Sequence, residues 1–308
     1  MTSVPIERFG KYQLLRKIGQ GGMAEVFLAT ADDAPAGSPP IVVKRLHREL
    51  ERDRDAVDLF LTEADVTVML HHPNIIRVLD SGEAVGRYYI AMEYVQGRDL
   101  DRIMNRLFEK GLSLAPDAAV HLAMEVLKGL EYVHRAVTPS GRALGIVHRD
   151  VTPSNIFVSA QGEVKLGDFG VAKLIGVEGW TVPGSIKGKL GYLSPEQVAG
   201  EQPSQSIDLW AIAVILYELL SGSRLFTGNT ELDVMLRIRD AKVPDLRKVN
   251  KEAPKPLAKI LERALHKKER KRFHGAQEFH DELARWRDAS GRAYAPQELV
   301  SYLSSVLA

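Results

Sequence analysis

One stretch limits the folds open to this chain more than any other. His148-Arg149-Asp150-Val151-Thr152-Pro153-Ser154-Asn155 gathers a histidine, a carboxylate and a carboxamide, then runs into the apolar Ile156-Phe157-Val158. Leu166-Gly167 follows a little later and leads into Asp168-Phe169-Gly170. An Asp followed by an Asn is, alone, ordinary turn chemistry. The ordered pair of stretches is far more specific. In a phosphoryl-transfer site Asp150 would accept a hydroxyl proton, while Asn155 and Asp168 would offer oxygen ligands to Mg²⁺, or to Mn²⁺ in its place.

Composition narrows the field further. With 308 residues, 45% of them hydrophobic, the chain can bury one large core or two smaller ones. Lys and Arg total 41 against 40 Asp and Glu. That balance argues against a nucleic-acid partner and against a clamp for acidic membranes. The absence of cysteine excludes disulfides, thiolate metal sites and cysteine nucleophiles. Met1 to Phe9 lacks the apolar centre of a signal peptide. The longest strongly apolar run, Leu209 to Leu220, is interrupted by Glu218 and is shorter than the ~20 residues that span a bilayer. A soluble, cytoplasmic protein is expected.

Taken in order, Tyr12 to Ala29 reads as a hairpin about the turn Gly19-Gln20-Gly21-Gly22-Met23-Ala24. Glycines in such a turn let the backbone approach phosphates and donate N–H groups to them. Residues 31–40 read as a surface loop, and Ile41-Val42-Val43-Lys44 as a strand. Helical spacing covers Arg54 to Leu70, and His71-His72-Pro73-Asn74 breaks it, adjacent histidines being unable to share one helical face. Ile75 to Leu79 and Arg87 to Met92 read as two more strands. Ala119, Leu122, Ala123, Val126, Leu127, Leu130 and Val133 mark one face of a long helix. Leu209 to Leu220, apolar nearly all round, marks a helix at the centre of a core. The basic His266 to Arg272 reads as a solvated loop, and Pro296 to Leu307 as an amphipathic helix docked on the larger lobe through Leu299, Val300, Leu303, Val306 and Leu307.

These motifs resemble, over about Phe9 to Arg287, the bacterial eukaryotic-like (Hanks-type) Ser/Thr protein kinases. The resemblance implies an α+β, two-lobed fold, with a small β-rich lobe over 9–93, a larger helical lobe over 94–287 and a helical extension over 288–308. It implies ATP with Mg²⁺ as nucleotide and metal, and a protein hydroxyl of Ser or Thr as acceptor. Ala24 stands where the glycine-rich loop has its third glycine, a mild departure. Gly19 and Gly21 would approach the phosphates, Lys44 would pair with the α and β phosphates, and Glu63 would hold Lys44. Glu93 and Val95 would meet adenine through their backbone, Met92 would be the gatekeeper and Asp99 a ribose contact. Ile18, Val26, Val42 and Phe157 would wall the base, Val42 being larger than the usual alanine. Asp208 would hold the backbone of the Asp150 loop, and Arg272 would pair with Glu196. Arg135 to Gly145 is a few residues longer than the family's usual connection.

Three features concern control and departures. Gly191-Tyr192-Leu193-Ser194-Pro195-Glu196 resembles the end of an activation segment, with Ser194 in place of alanine. Counting back, Ser185 falls at the phosphosite and Thr181 is the runner-up, with Arg149 and Lys173 as the cations that would grip the phosphate. The family usually carries a lysine two residues after the catalytic aspartate and a threonine late in the activation segment. Here those positions hold Thr152 and Lys189, as though exchanged. Two rival classes are a catalytically silent scaffold, against which Lys44, Glu63, Asp150, Asn155 and Asp168 all stand, and a small-molecule phosphotransferase, against which the Ser194-Pro195-Glu196 closure stands.

Overall fold

A computed structural model of the chain describes residues 6–35, 37–138, 140–169, 189–291 and 295–307. The residues fall into two compact units, divided between Val95 and Gln96, with Phe169 grouped with the first. That division lies two residues beyond the 93/94 boundary expected from sequence.

The first unit is an antiparallel sheet of six strands with one long helix. The strands are β1 (Glu7–Phe9), β2 (Tyr12–Gln20), β3 (Ala24–Ala31), β4 (Ile41–Leu46), β5 (Val78–Ala84) and β6 (Arg87–Glu93), in spatial order β1-β2-β3-β4-β6-β5. Helix α1 (Arg54–Val68) begins where the Asp53 carboxylate accepts the Ala56 N–H at 3.1 Å. Alternation along β4 sends Lys44 and Leu46 to one face, Val43 and Arg45 to the other. The first face carries Leu46, Val78 and Ile90 against Ala56, Phe60 and Ala64 of α1. The opposite face packs Phe9, Leu14, Phe27, Val43 and Tyr89. There the buried Arg45 guanidinium lies 4.6 Å from the Phe27 ring centre and bonds Glu7 at 2.7 Å, tying β1 to the sheet.

The strand expected at Ile75 to Leu79 is displaced. Ile75 and Ile76 are buried, but the ladder starts at Val78 and continues through Asp80, Ser81 and Gly82 to Ala84. The apolar pair marks packing rather than pairing, and the polar tail suits a strand at the edge of its sheet.

The second unit is mainly helical. It contains β7 (Gly97–Asp99), α2 (Leu100–Glu109), α3 (Pro116–His134), β8 (Ile156–Ser159), β9 (Val164–Leu166), α4 (Pro195–Val198), α5 (Ser206–Ser221), α6 (Glu231–Arg239), α7 (Leu246–Val249), α8 (Lys255–Ala264), α9 (Ala276–Ser290) and α10 (Pro296–Leu307). Every residue of α5 from Ser206 to Leu220 is buried, as its all-round apolar sequence requires. Pro116 opens α3, where a missing N–H costs no helical bond, and α3 packs against both α5 and α9. Strands β7, β8 and β9 form a small antiparallel sheet in that order. The Thr138 to Gly141 turn is the tip of a short excursion closed by a bridge between Val137 and Ala143. Helix α9 runs to Ser290, so the expected extension at 288 starts inside a helix. Helix α10 buries Leu299 and Leu303, with Val300 and Val306 half-buried. The Tyr302 hydroxyl accepts the Ala115 N–H at 3.0 Å, and Lys110 Nζ donates to the Val306 carbonyl at 3.0 Å.

Candidate active site

In the first unit the glycine turn is closed by the Gly21 N–H donating to Ala24 O at 2.8 Å. His47, which no motif marked, fastens the turn from the end of β4. Its N–H donates to Met23 O at 2.8 Å, and its Nε2 lies 2.8 Å from Gly21 O. Strand register sets Gly19 opposite Val26, Val26 opposite Lys44, and Val42 opposite Met92. Ile18, Val26 and Val95 are half-buried, and Val42 is buried. Lys44 Nζ donates to Glu63 Oε1 at 2.7 Å, from β4 to the middle of α1. Both side chains are largely shielded from water, which strengthens the pair and holds a flexible ammonium in one place. Glu93 closes the sheet onto the 75–77 segment: its N–H donates to Arg77 O at 2.9 Å, and its Oε1 accepts the Arg77 N–H at 2.8 Å.

In the second unit Asp208 organises the loop before β8. Sitting in the first turn of α5 and 1% exposed, its carboxylate accepts the N–H groups of His148 and Arg149 at 2.8 and 2.9 Å. His134 Nε2, at the end of α3, lies 2.8 Å from the same carboxylate. A buried carboxylate needs such partners, and here they fix two backbone groups immediately before Asp150. Arg149 is thereby held at φ +66°, a conformation costly for a residue with a Cβ. Burial drives the His148 imidazole pKa down, against the charges of Asp208 and Asp150, so it is neutral.

Asp150 is oriented from two sides. Asn155 Nδ2 donates to Asp150 Oδ2 at 2.8 Å and to its carbonyl at 2.9 Å. Lys189 Nζ, half-exposed, donates to the same Oδ2 at 2.8 Å. Thr152 is buried, its hydroxyl 3.0 Å from Ser154 Oγ and its carbonyl accepting the Asn155 N–H at 3.0 Å. Asp168 follows Gly167, whose N–H donates to Asn155 O at 2.9 Å, and it holds φ +51°. Asp99 caps α2 through the Arg102 N–H at 2.9 Å, and β-register places it beside Phe157.

The donor set suits a magnesium ion. With both hydrogens of its amide spent on Asp150, Asn155 has its oxygen for a ligand, and Asp168 adds a carboxylate. Among the described residues no group of three or more His, Asp or Glu can hold a metal alone. Mg²⁺ is characteristically held by one or two carboxylates, waters and substrate phosphates, so this sparse set fits it.

Below the loop, Ser194 caps α4: its Oγ accepts the Gln197 N–H at 3.3 Å, and Gln197 Oε1 accepts the Ser194 N–H at 2.9 Å. The serine that stands in place of alanine thus has a local capping role. Arg272, 1% exposed, grips Glu196 with both terminal nitrogens at 2.6 and 2.8 Å and stacks 4.7 Å over the Trp210 ring. The basic run is therefore solvated only up to Lys271. Glu218, the charge inside α5, accepts from Tyr192 Oη at 2.9 Å, the Leu225 N–H at 2.9 Å and Arg224 at 3.1 Å. No sequence signal beyond the interrupted apolar run marked that network. Ser185, Thr181, Lys173 and Gly170 lie outside the described residues.

The chain is 34% identical over 278 residues to the tyrosine-protein kinase MasK of Myxococcus xanthus, covering 90% of this chain and 43% of that protein. It is 31% identical over 274 residues to the serine/threonine-protein kinase PrkC of Bacillus subtilis, covering 89% of this chain and 40% of that protein. The chain therefore spans about two-fifths of these relatives' lengths. The crystal structure of the Mycobacterium tuberculosis PknI kinase domain superposes with a TM-score of 0.67 at 25% identity, covering 92% of this chain and 99% of that one. The fold is the two-lobed kinase fold, with a small β-rich lobe and a larger helical one. Since the protein kinase domain model also matches residues 12–283, the loop that Asp208 holds belongs to a member of the protein kinase domain family.

Proposed function

We propose that this chain transfers the γ-phosphoryl group of ATP to Ser or Thr hydroxyls of proteins. The observation that carries the reading is the double restraint on Asp150, by Asn155 and Lys189 at 2.8 Å each. Both bonds fall on Oδ2, which fixes the carboxylate plane, and Oδ1 would take the hydroxyl proton as the acceptor oxygen attacks phosphorus. The transition state spreads charge over the γ-phosphoryl oxygens, so positioned cations matter more than covalent chemistry. Lys44, steadied by Glu63, would hold the α and β phosphates, and the turn at Gly19 and Gly21 would cover them with N–H donors. Asn155 and Asp168 would hold Mg²⁺ or Mn²⁺; when bound, the ion neutralises phosphate charge and orients the transferring group. The backbone of Glu93 and Val95 would meet adenine, with Ile18, Val26, Val42 and Phe157 against the base and Asp99 at the ribose.

Lys189 would supply the ammonium that the family usually carries at the position of Thr152, reaching Asp150 from the far end of the activation segment. Ser185, and secondarily Thr181, would receive phosphate from the enzyme itself, with Arg149 and Lys173 as its cationic partners. Incubation of the chain with γ-labelled ATP, Mg²⁺ and casein tests the reading. Label should reach phosphoserine or phosphothreonine in casein, and Asp150→Asn should lower turnover by about 10²–10⁴-fold. Label confined to phosphotyrosine would overturn the acceptor assignment. An Asp150→Asn enzyme within twofold of the parent would overturn the base.

A further inference from the structure

The helical unit has a cavity of about 520 Å³ between the C-terminal part of α5, the segment joining α6 to α7, and one face of α8. That volume is in the range of small-molecule sites. Val243, Leu261 and Leu265 supply apolar wall, and Arg247, Lys255 and Lys259 supply cations. Among the described residues none of those three cations pairs with a carboxylate. The acids in the lining are Asp245, which caps α7 through the Arg247 N–H at 2.9 Å, and Glu262. Lys267 is committed to Asp240 at 3.8 Å.

Tyr217 of α5 also lines the cavity and is 3% exposed, yet its hydroxyl has no hydrogen-bond partner among the described residues. Buried hydroxyls normally find partners, and phenylalanine would fill the same space without the cost. Burial and the nearby Asp245 charge push the phenol to about 12, so it is a standing donor at neutral pH.

We infer that this cavity is a binding site for a small organic anion, whose apolar body lies on the Val243–Leu261–Leu265 wall and whose carboxylate or phosphate head meets Tyr217 and the Arg247, Lys255 and Lys259 cations. It is built from residues that the phosphotransfer reading does not use. Its wall residue Tyr217 lies on α5, the helix whose first turn carries Asp208, which bonds the backbone before Asp150.

Isothermal titration of the full chain without nucleotide tests the site, using 4-phenylbutyrate and phenyl phosphate as the two anionic heads. The controls are 4-phenylbutanol and inorganic phosphate. At least one aryl anion should bind, and which one identifies the head group. Tyr217→Phe should weaken it about fivefold, the worth of one hydrogen bond. The Lys255→Glu/Lys259→Glu double variant, exposed and harmless to packing, should weaken it by about tenfold or more. The site is overturned if neither aryl anion binds at millimolar concentration, if the alcohol or inorganic phosphate binds as well as the aryl anions, or if both variants bind like the parent. Because ATP is absent, failure here leaves the phosphotransfer reading intact.

Discussion

Asp150 and Lys189 pose the sharpest question at the scale of single residues. Their contact at 2.8 Å makes the lysine's part in turnover measurable. Lys189→Thr should lower kcat/KM by about 10²-fold, the usual worth of one donor at developing charge. Thr152→Lys buries a cation beside Ser154 and should also be harmful alone. The double variant rebuilds the family's usual arrangement, so the two effects should be strongly non-additive in a double-mutant cycle. An unchanged kcat/KM in Lys189→Thr would remove the ammonium from the mechanism. His148 offers a second test, through pH. Its folded pKa lies below the unfolded value near ~6.5, so between the two the unfolded chain binds the extra proton. Stability is therefore full above that unfolded value and declines as pH falls below it. Thermal melts at stepwise lower pH should show this decline, and His148→Asn should flatten it; equal slopes in parent and variant would exclude His148 as the source.

At the scale of elements, a buried ion pair ties α4 to the turn before α9. Glu196 and Arg272 are both buried and bonded through two parallel contacts, so removing one partner strands the other's charge. Glu196→Ala should cost about 3–5 kcal/mol in urea unfolding, and the apolar pair Glu196→Leu with Arg272→Met should recover much of it. A loss under ~1 kcal/mol would mean that water reaches the guanidinium. In the first unit, His47 ties the turn between β2 and β3 to the end of β4, and both of its bonds end on backbone carbonyls. Such bonds leave no trace in side-chain type, which is why the turn was legible in sequence and its anchor was not.

For the whole chain, α10 belongs to the packing of the helical unit. Gly162, between β8 and β9, has φ +85°, and a Cβ there would lie 2.2 Å from the Pro296 carbonyl oxygen. Gly162→Ala should therefore strain its own turn and push the start of α10 away. Limited proteolysis should then cut between α9 and α10 faster than in the parent chain; an unchanged cleavage rate would mean that Leu299, Leu303 and the Tyr302 and Lys110 bonds hold α10 without help from this turn. No helix among the described residues is long and apolar enough to cross a membrane.

Residue type and order were sufficient for the elements whose signal is local. The hairpin about Gly21, the all-round apolar α5 and the amphipathic α10 each carry their own period or turn chemistry, and those periods dictate which face must leave water. The candidate site was legible as a list because Lys44, Glu63, Asp150, Asn155 and Asp168 stand in a recognisable order. The resemblance named Glu63 as the partner of Lys44 and Asp208 as the holder of the Asp150 loop, but only the tertiary structure brought these groups within bonding distance. Lys44 meets Glu63 only because β4 and α1 pack face to face, and Lys189 meets Asp150 across 39 positions of chain. Asp208 reaches His148 and Arg149 from a helix 60 and 59 positions away. A sequence records which side chains can donate or accept, whereas the distance between them depends on how every intervening element packs, and that is a property of the core as a whole. The same reason hid Tyr217: its place in an apolar helix marked it as core, and only the cavity beside it distinguishes it from a phenylalanine.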